Sequence, residues 1–207
     1  MATFSVDQLS TLSGIITAKD VIINRAASLA INRTLTYTRN QSINLMRLEV
    51  NLPESYLRRN LRTVQRASPT NLAGVIRAGA RSTLLTRYPY IQSRTGVRVA
   101  VNAKDGYQQI ENAFVVTNLR GSGARGIALR NSSAVEHFKR ALAPATPAKR
   151  RKLQRIIAAA RRNPRGIQVL SSRSVNQVFT DTREDVEPRS IRFLNENFIE
   201  QITRLNT

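Results

Sequence analysis

The sequence contains no cysteine, no tryptophan and a single histidine among its 207 residues. The absence of cysteine excludes disulfides, thiol catalysis and Cys-ligated zinc. Because His137 is the only imidazole, catalytic dyads and His-based metal sites are not expected, and His137 is interpreted as an ordinary helix residue. We therefore predict a protein that is not an enzyme and that holds no cofactor and no metal.

Long hydrophobic runs are also missing. The longest, such as residues 156–160, are far shorter than the roughly 20 residues that a membrane span needs. The first basic residue is Lys19, so the charged start that is typical of a signal peptide is not seen. The expectation is a chain that makes no membrane contact and is kept in a cytoplasm.

Acidic residues are scarce: 33 basic residues stand against 13 acidic ones, which gives a formal net charge of +20. Such an excess is tolerated beside a polyanion or an acidic partner surface. Five of the basic residues are lysines and 28 are arginines. Arginine suits bidentate phosphate contacts, although a genome rich in arginine codons accounts for the bias equally well. Nucleic acid is the favoured partner.

The charge is uneven, because residues 181–207 hold six acids and four arginines, a net of −2, and the rest of the chain carries +22. This asymmetry suits head-to-tail contact between identical subunits, and it also suits a solvated acidic loop. Paired carboxylates can act as acid and base or bind Mg²⁺, so a nuclease is a further interpretation of the chain's function. However, negative charge before a helix is favoured by the helix dipole alone. The cluster consists of Asp181, Glu184, Asp185 and Glu187.

Hydrophobic periodicity predicts one α+β domain over residues 1–207. A long amphipathic helix over 15–48, with Arg33 on its apolar stripe, is expected to pack on a small antiparallel sheet. Leu52-Pro53-Glu54 opens a second, short helix. The sheet is predicted over 71–130, with an exposed loop or arm at 81–95.

A basic helical insertion is predicted at 143–165, followed by a C-terminal helix at 188–205. Ser133 and Glu136 have the spacing of a capping box that starts a short helix, and a further helix runs from Thr146-Pro147 to Asn163-Pro164. The C-terminal helix is expected to begin at Pro188 and to close the core with one stripe. That stripe consists of Ile191, Leu194, Phe198, Ile202 and Leu205.

The insertion is the best nucleic-acid candidate in the chain, because eight of the 17 residues from 149 to 165 are basic. The short second helix offers a smaller basic face, for which a merely solvated surface is an equal alternative. The candidate residues for binding nucleic acid or a partner are Lys149, Arg150, Arg151, Lys152, Arg155, Arg161, Arg162 and Arg165, with Arg58, Arg59 and Arg62 secondary.

The segment from Gly121 to Gly126 matches the dinucleotide-binding pattern G-x-G-x-x-G. A true site opens a helix after its glycines, whereas Ile127-Ala128-Leu129-Arg130 has the pattern of a strand. We therefore predict a hairpin turn whose glycines adopt positive φ. Zinc fingers, basic zippers and RNA-binding aromatic motifs are absent from the sequence, so any binding should contact phosphates without reading bases.

Three stretches carry a recognisable pattern, namely Ala30-Ile31-Asn32-Arg33, residues 113–117 with 126–130, and residues 167–170 with 174–179. Together they resemble the prophage minor tail protein Z family of lambda-like tailed phages. Ala30-Ile31-Asn32-Arg33 is similar to a signature in that family's first helix. Residues 113–117 and 126–130 resemble its aromatic strand, glycine turn and return strand. Residues 167–170 and 174–179 resemble its hydrophobic segment and short helix.

The resemblance implies a structural virion protein in the neck, at the head-proximal end of a bacteriophage tail. Such a protein is added at tail completion, and it is in the host cytoplasm during assembly. It implies a six-fold ring of this chain beside the tail terminator, tail tube or connector proteins, through which DNA passes. The alternative is a free, sequence-nonspecific nucleic-acid-binding protein of the ribosomal or nucleoid type, which the charge supports equally well.

Overall fold

The structure is a computed structural model that describes the backbone of residues 6–206 and the side chains of residues 20–205. It confirms an α+β chain with a long first helix, small antiparallel sheets and a C-terminal helix. The helices are α1 (Val6–Glu49), α2 (Glu54–Asn60), α3 (Asn131–Arg140), α4 (Pro147–Arg162), α5 (Val175–Asp181) and α6 (Arg183–Asn206). The strands are β1 (Leu61–Gln65), β2 (Val75–Ala78), β3 (Ser82–Leu84), β4 (Tyr90–Ser93), β5 (Gly96–Val99), β6 (Gln108–Glu111), β7 (Phe114–Val116), β8 (Gly126–Arg130), β9 (Ile167–Val169) and β10 (Ser171–Ser174).

The chain divides into two compact units that are interleaved along the sequence. Unit 1 comprises Met1–Met46, Leu57–Gly79 and Asn176–Thr207, and unit 2 comprises Arg47–Tyr56 and Ala80–Val175. Neither unit is one continuous segment, and the single domain expected over residues 1–207 stays a prediction.

Unit 1 is built around α1, which contacts α6 on one side. The rings of Tyr37 and Phe193 stack with their centroids 4.1 Å apart and their planes 7° from parallel. The Thr38 hydroxyl donates a 2.8 Å hydrogen bond to Ser190 Oγ. Large aromatic contacts of this kind contribute beyond the area they bury, so the pair fixes α6 against α1.

Arg33 falls on the predicted apolar stripe of α1 and has a structural role there. Its Nη1 donates to Asn197 Oδ1 at 3.3 Å and forms an ion pair with Glu200 Oε1 at 3.0 Å. Asn197 is buried whereas the ion pair is exposed. The guanidinium of Arg33 therefore reaches the surface while it also donates to a buried acceptor. Ile15, the first residue of the predicted stripe, has a side chain outside the described residues.

The other side of α1 contacts the β1–β2 hairpin, although sequence periodicity assigned this side to solvent. Asn32 Nδ2 donates to the carbonyl of Ala67 at 2.8 Å, and Arg39 Nε donates to the carbonyl of Leu61 at 2.7 Å. Leu35 lies against Gly74, where an added Cβ would meet Leu35 Cδ1 at 2.5 Å. Polar side chains thus hold the hairpin because its unpaired backbone carbonyls need donors.

Strand pairing in unit 2 is antiparallel throughout the described residues, and it is divided among small sheets rather than concentrated in one. β4, β5 and β6 form one three-stranded sheet, β7, β8 and β9 form another, and β10 pairs with β3. β7 and β8 form the predicted hairpin, and Gly121 and Gly123 in its turn have φ of 87° and 63°. The dinucleotide-site interpretation is therefore excluded by the strand that follows the glycines.

The α3–α4 helical hairpin is inserted between two neighbouring strands, β8 and β9. Arg130 at the end of β8 pairs with Ile167 at the start of β9, so the chain leaves the sheet and returns to it at the same place. The predicted basic insertion is confirmed as the helix α4, which begins at Pro147 and ends at Arg162.

Two sequence-based predictions between residues 81 and 140 are wrong. Residues 81–95 are not an exposed loop: they contain β3, β4 and a 3₁₀ turn at Leu85–Arg87, and the side chains of Leu85 and Tyr88 are buried. The pattern was missed because β3 pairs with β10, which lies far along the sequence. α3 begins at Asn131 without a side-chain cap, so the capping box does not form.

The C-terminal helix is also longer than predicted. α6 begins at Arg183, and Pro188 lies inside it rather than at its first position. Pro188 lies beyond the first turn, so it costs α6 the hydrogen bond to the carbonyl four residues earlier, whereas Glu184 and Asp185 stabilise the first turn through the dipole.

Candidate nucleic-acid interface

The sequence of α4 favours a helix with one apolar side. Pro147 occupies the first turn, where its missing N–H costs nothing, and the helix ends at Arg162, with Asn163 as its capping residue before Pro164. Leu153, Ile157 and Ala160 are spaced for one face and are buried against α3 and the adjoining structure. This stripe orients the helix, so the side chains between its members point to solvent.

All eight basic residues predicted for this region are exposed. Seven lie on α4 and Arg165 lies in the turn that follows. At about 100° per residue, Arg151, Arg155 and Arg162 lie opposite the buried stripe, and the first and last of them are about 16 Å apart along the helix axis. Arg151, Arg155 and Arg162 therefore share one surface, which we call the α4 basic face. Lys152 and Arg161 flank this face, whereas Lys149 and Arg150 lie towards the side of the buried stripe.

The charge of α4 is not neutralised within the part of the chain that the structure describes. The helix contains no acidic residue, and none of its cations forms an ion pair with a described carboxylate. Lys149 and Arg150 lie near its amino-terminal end, where the dipole disfavours cations, and Arg151 and Arg155 are like charges four residues apart. Each arrangement costs a few tenths of a kcal/mol or more, and an anion bound at this face would offset it.

Arg150 differs from its neighbours because it is used structurally. Its Nε donates to the carbonyl of Leu142 at 3.2 Å, and its Nη2 donates to the carbonyl of Ala143 at 3.1 Å. These carbonyls follow the end of α3, where backbone acceptors lack helical partners. Arg150 therefore holds the connection between α3 and α4.

The cations of the neighbouring helix α3 are balanced by carboxylates. Lys139 Nζ lies 2.7 Å from Glu136 Oε1, and Arg140 Nη1 lies 3.6 Å from Glu111 Oε2. The hydrogen bond and charge of Lys139 lower the pKa of Glu136, and the charges of Arg140 and Arg161 add to this effect. The free positive charge of the helical hairpin is thus concentrated on α4.

His137 lies on α3 and is half-buried, as an ordinary helix residue would be. Burial lowers the pKa of its imidazole, and the charge of Arg140 lowers this pKa further. The imidazole is therefore neutral at about pH 7 and adds nothing to the positive charge of this region.

The secondary residues Arg58, Arg59 and Arg62 are exposed but belong to unit 1, whereas α4 belongs to unit 2. They do not form a run along one helix, because Arg62 lies on β1. Arg58 donates to Asn40 Oδ1 at 3.1 Å. Sequence reasoning missed Arg77, which stands directly opposite Arg62 across the β1–β2 pair and could be found only from the strand register.

The predicted acidic cluster is spread over two helices. Asp181 ends α5, whereas the other three acids lie in the first turns of α6, where Glu187 Oε2 lies 3.2 Å from Arg183 Nε. Among the described residues, no group of three or more Asp, Glu or His side chains is placed to hold a metal ion. No helix in the described part of the chain has the length and apolar character needed to cross a membrane.

Comparisons of the chain with protein-family profiles, with curated proteins and with solved structures found no match.

Proposed function

We propose that this chain is a structural virion protein of a tailed bacteriophage. In this proposal it forms an oligomeric ring at the head-proximal end of the tail, in the neck, and it acts in tail completion by helping to seat or pass the DNA. The α4 basic face meets phosphates, and the partners are further copies of the chain, the tail terminator, tail tube or connector proteins, and the phage DNA.

The observation that carries the proposal is the exposed, unneutralised charge of α4. Arg161 and Arg162 suit the last turn of α4, but the cations of its first turns oppose the dipole and form no ion pair with a described carboxylate, so the helix is less stable than it could be. Such an arrangement is useful beside a polyanion, because phosphate contacts gain from every cation whatever the base sequence.

The resemblance to the minor tail protein Z family supports the virion setting, and the total charge agrees with it. Six copies at +20 each give a ring of about +120, which must face DNA or acidic neighbours. No catalytic step is part of this proposal.

The test is to replace Arg151, Lys152, Arg155 and Arg162 with glutamine in the phage that encodes the chain. We expect particles of normal shape that retain or eject DNA poorly. The matched control replaces four exposed cations elsewhere in unit 2, which are Arg94, Lys104, Arg120 and Arg125. Unchanged infectivity of the α4 variant, or a chain that is absent from mature particles, would contradict the proposal.

The alternative, a free nucleic-acid-binding protein, makes a different prediction for the purified chain. A free binder holds duplex DNA or RNA as a monomer or dimer with a steep dependence on salt, whereas a tail protein joins a ring or purifies with virions. Size measurements of the nuclease-treated protein, together with its presence or absence in particles, separate the two.

A further inference from the structure

The apolar stripe of α6 does not close the core as the sequence predicts. Ile191 is 53% exposed, and the other four members of the stripe are only half-buried. The side of α6 that packs in unit 1 is instead partly polar, because Asn197 and Gln201 are buried there while Phe193 stacks on α1. An amphipathic helix that directs polar groups inwards leaves an apolar face without a partner.

This face adjoins an open apolar groove in unit 1. The groove has a volume of about 400 Å³ and lies between α1, α5 and α6. Phe179, Val186, Ile191 and Leu194 supply its apolar lining. Glu184 and Glu187 lie on the same side of α6, one to two turns before Ile191. Arg183 also lines the groove and forms an ion pair with Glu187, so Glu184 leaves this end of the groove with a net negative charge.

A second exposed surface of unit 1 combines apolar groups with the opposite charge. On the outer face of the β1–β2 hairpin, Val64 is 49% exposed and Val75 is 40% exposed. Arg62 and Arg77 lie on that face directly opposite each other, an arrangement of like charges that destabilises a strand pair. Neither arginine forms an ion pair with a described carboxylate.

The two surfaces lie on different sides of unit 1. Arg33, Tyr37 and Thr38 of α1 contact α6. The hairpin is contacted by a different set, which consists of Asn32, Leu35 and Arg39. At about 100° per residue these two sets point in nearly opposite directions from the helix axis. Each copy can therefore offer one surface to one neighbour and the other surface to a second neighbour, which is a heterologous contact.

We propose that the α6 groove of one copy binds the outer face of the β1–β2 hairpin of a second copy. Val64 and Val75 fill the apolar groove, while Arg62 and Arg77 meet the acidic end of α6. The charge of the chain favours this pairing, because residues 181–207 carry −2 and the remainder carries +22. The inference deepens the proposed function and rests on it for the closure of the contact into a ring.

The experiment uses two variants of the full chain, each of which disables one surface. The groove variant carries Glu184→Lys and Ile191→Lys, and the hairpin variant carries Val64→Lys and Val75→Lys, so that the two altered surfaces repel each other as well. All four positions are exposed, so folding should persist, and circular dichroism melting checks that it does. A control variant carries Arg94→Glu and Lys104→Glu in unit 2, away from both surfaces.

The masses of the nuclease-treated proteins are measured by analytical ultracentrifugation. We expect the wild type and the control to assemble beyond dimers and each disabled variant to be monomeric. An equimolar mixture of the two disabled variants should form dimers and nothing larger, because only one intact groove can then meet one intact hairpin. This dimer requires both variants to be folded, so it also excludes misfolding as the cause of their monomeric state.

Three results would overturn the inference. Oligomers that persist in both variants would place the contact elsewhere and leave the proposed ring intact. A mixture that stays monomeric would exclude a groove-to-hairpin contact. A wild-type chain that is monomeric at all concentrations would remove both the contact and self-assembly, while DNA retention by α4 variants in particles remains a separate measurement of the proposed function.

Discussion

Asn131 donates from Nδ2 to the carbonyl oxygen of Asn163 at 2.6 Å, and this bond joins the start of α3 to the end of α4. Asn131 is buried, and its backbone N–H donates to Gly166 at 2.9 Å. We expect Asn131→Ala to lower the free energy of unfolding by about 0.5–1.5 kcal/mol, because the Asn163 carbonyl loses one of its two donors and keeps the backbone N–H of Gly166 at 3.0 Å. Urea denaturation measures the loss. Ser132→Ala, at the exposed next position, should change stability by less than about 0.5 kcal/mol, and equal effects would contradict this role.

The salt dependence of DNA binding should report the α4 basic face. Replacing Arg151, Arg155 and Arg162 with glutamine should make the slope of log K against log salt shallower by about three, because each phosphate contact releases about one counterion. Titrations of a duplex at several salt concentrations measure the slope.

The control for this slope removes the same charge from Arg94, Lys104 and Arg120 of the same unit. Its slope should change by less than about one. Similar slopes for the two triple variants would mean that total charge, rather than the α4 basic face, determines binding.

Arg150 and Arg155 both lie on α4 but should behave differently. Arg150→Gln removes two hydrogen bonds to the carbonyls of Leu142 and Ala143, so we expect stability to decrease by about 1 kcal/mol. Arg155→Gln removes no such bond and relieves repulsion with Arg151, so stability should stay equal or rise slightly while DNA affinity falls. Thermal melts and binding titrations of both variants give the comparison, and a reversal of the two effects would refute the assignment.

His137 should make stability depend on pH in a defined window. Its folded pKa is lowered below the ordinary 6.5, so the unfolded chain binds the proton first as the pH falls. Its contribution to stability is therefore full above about pH 6.5 and decreases as the pH falls through the folded pKa. The lowered pKa of Glu136 acts at lower pH, below the ordinary 4.5 of that carboxyl.

We expect His137→Gln to flatten the decrease in stability between about pH 7 and pH 5, because the neutral amide has no proton to bind. Guanidinium denaturation at both pH values measures the difference. If the free energy of unfolding changes equally with pH in the wild type and the variant, the pKa of the imidazole is the same in the folded and unfolded chains.

Local signals predicted the helices well where proline marks their ends. Pro147 and Pro164 bracket α4, which was found at nearly its observed bounds. Pro53 marked the start of α2, but the end of this helix at Asn60 was missed, because Arg62 was placed on the helix and lies on β1. The same signal failed at Pro188, because a proline is also tolerated a few residues into a helix. Residues 81–95 were missed because β3 finds its partner β10 only after the chain has folded back.

The sequence predicted which cations belong to the candidate site, but not which of them has a structural role or which of them face each other. Exposure of the α4 residues follows from the stripe of Leu153, Ile157 and Ala160, which the sequence displays. The structural use of Arg150 depends on where α3 ends, and the pairing of Arg62 with Arg77 depends on strand register. Neither is encoded in local spacing.

The β1–β2 hairpin has only two strands, and its pairing leaves one edge of each strand open among the described residues. Open edges beside exposed valines are a hazard for aggregation during synthesis. Arg62 and Arg77 act against this hazard, because two hairpins that approached each other face to face would bring four guanidinium groups together. Like charges on this face therefore disfavour contact between two such hairpins and favour a partner surface of opposite sign.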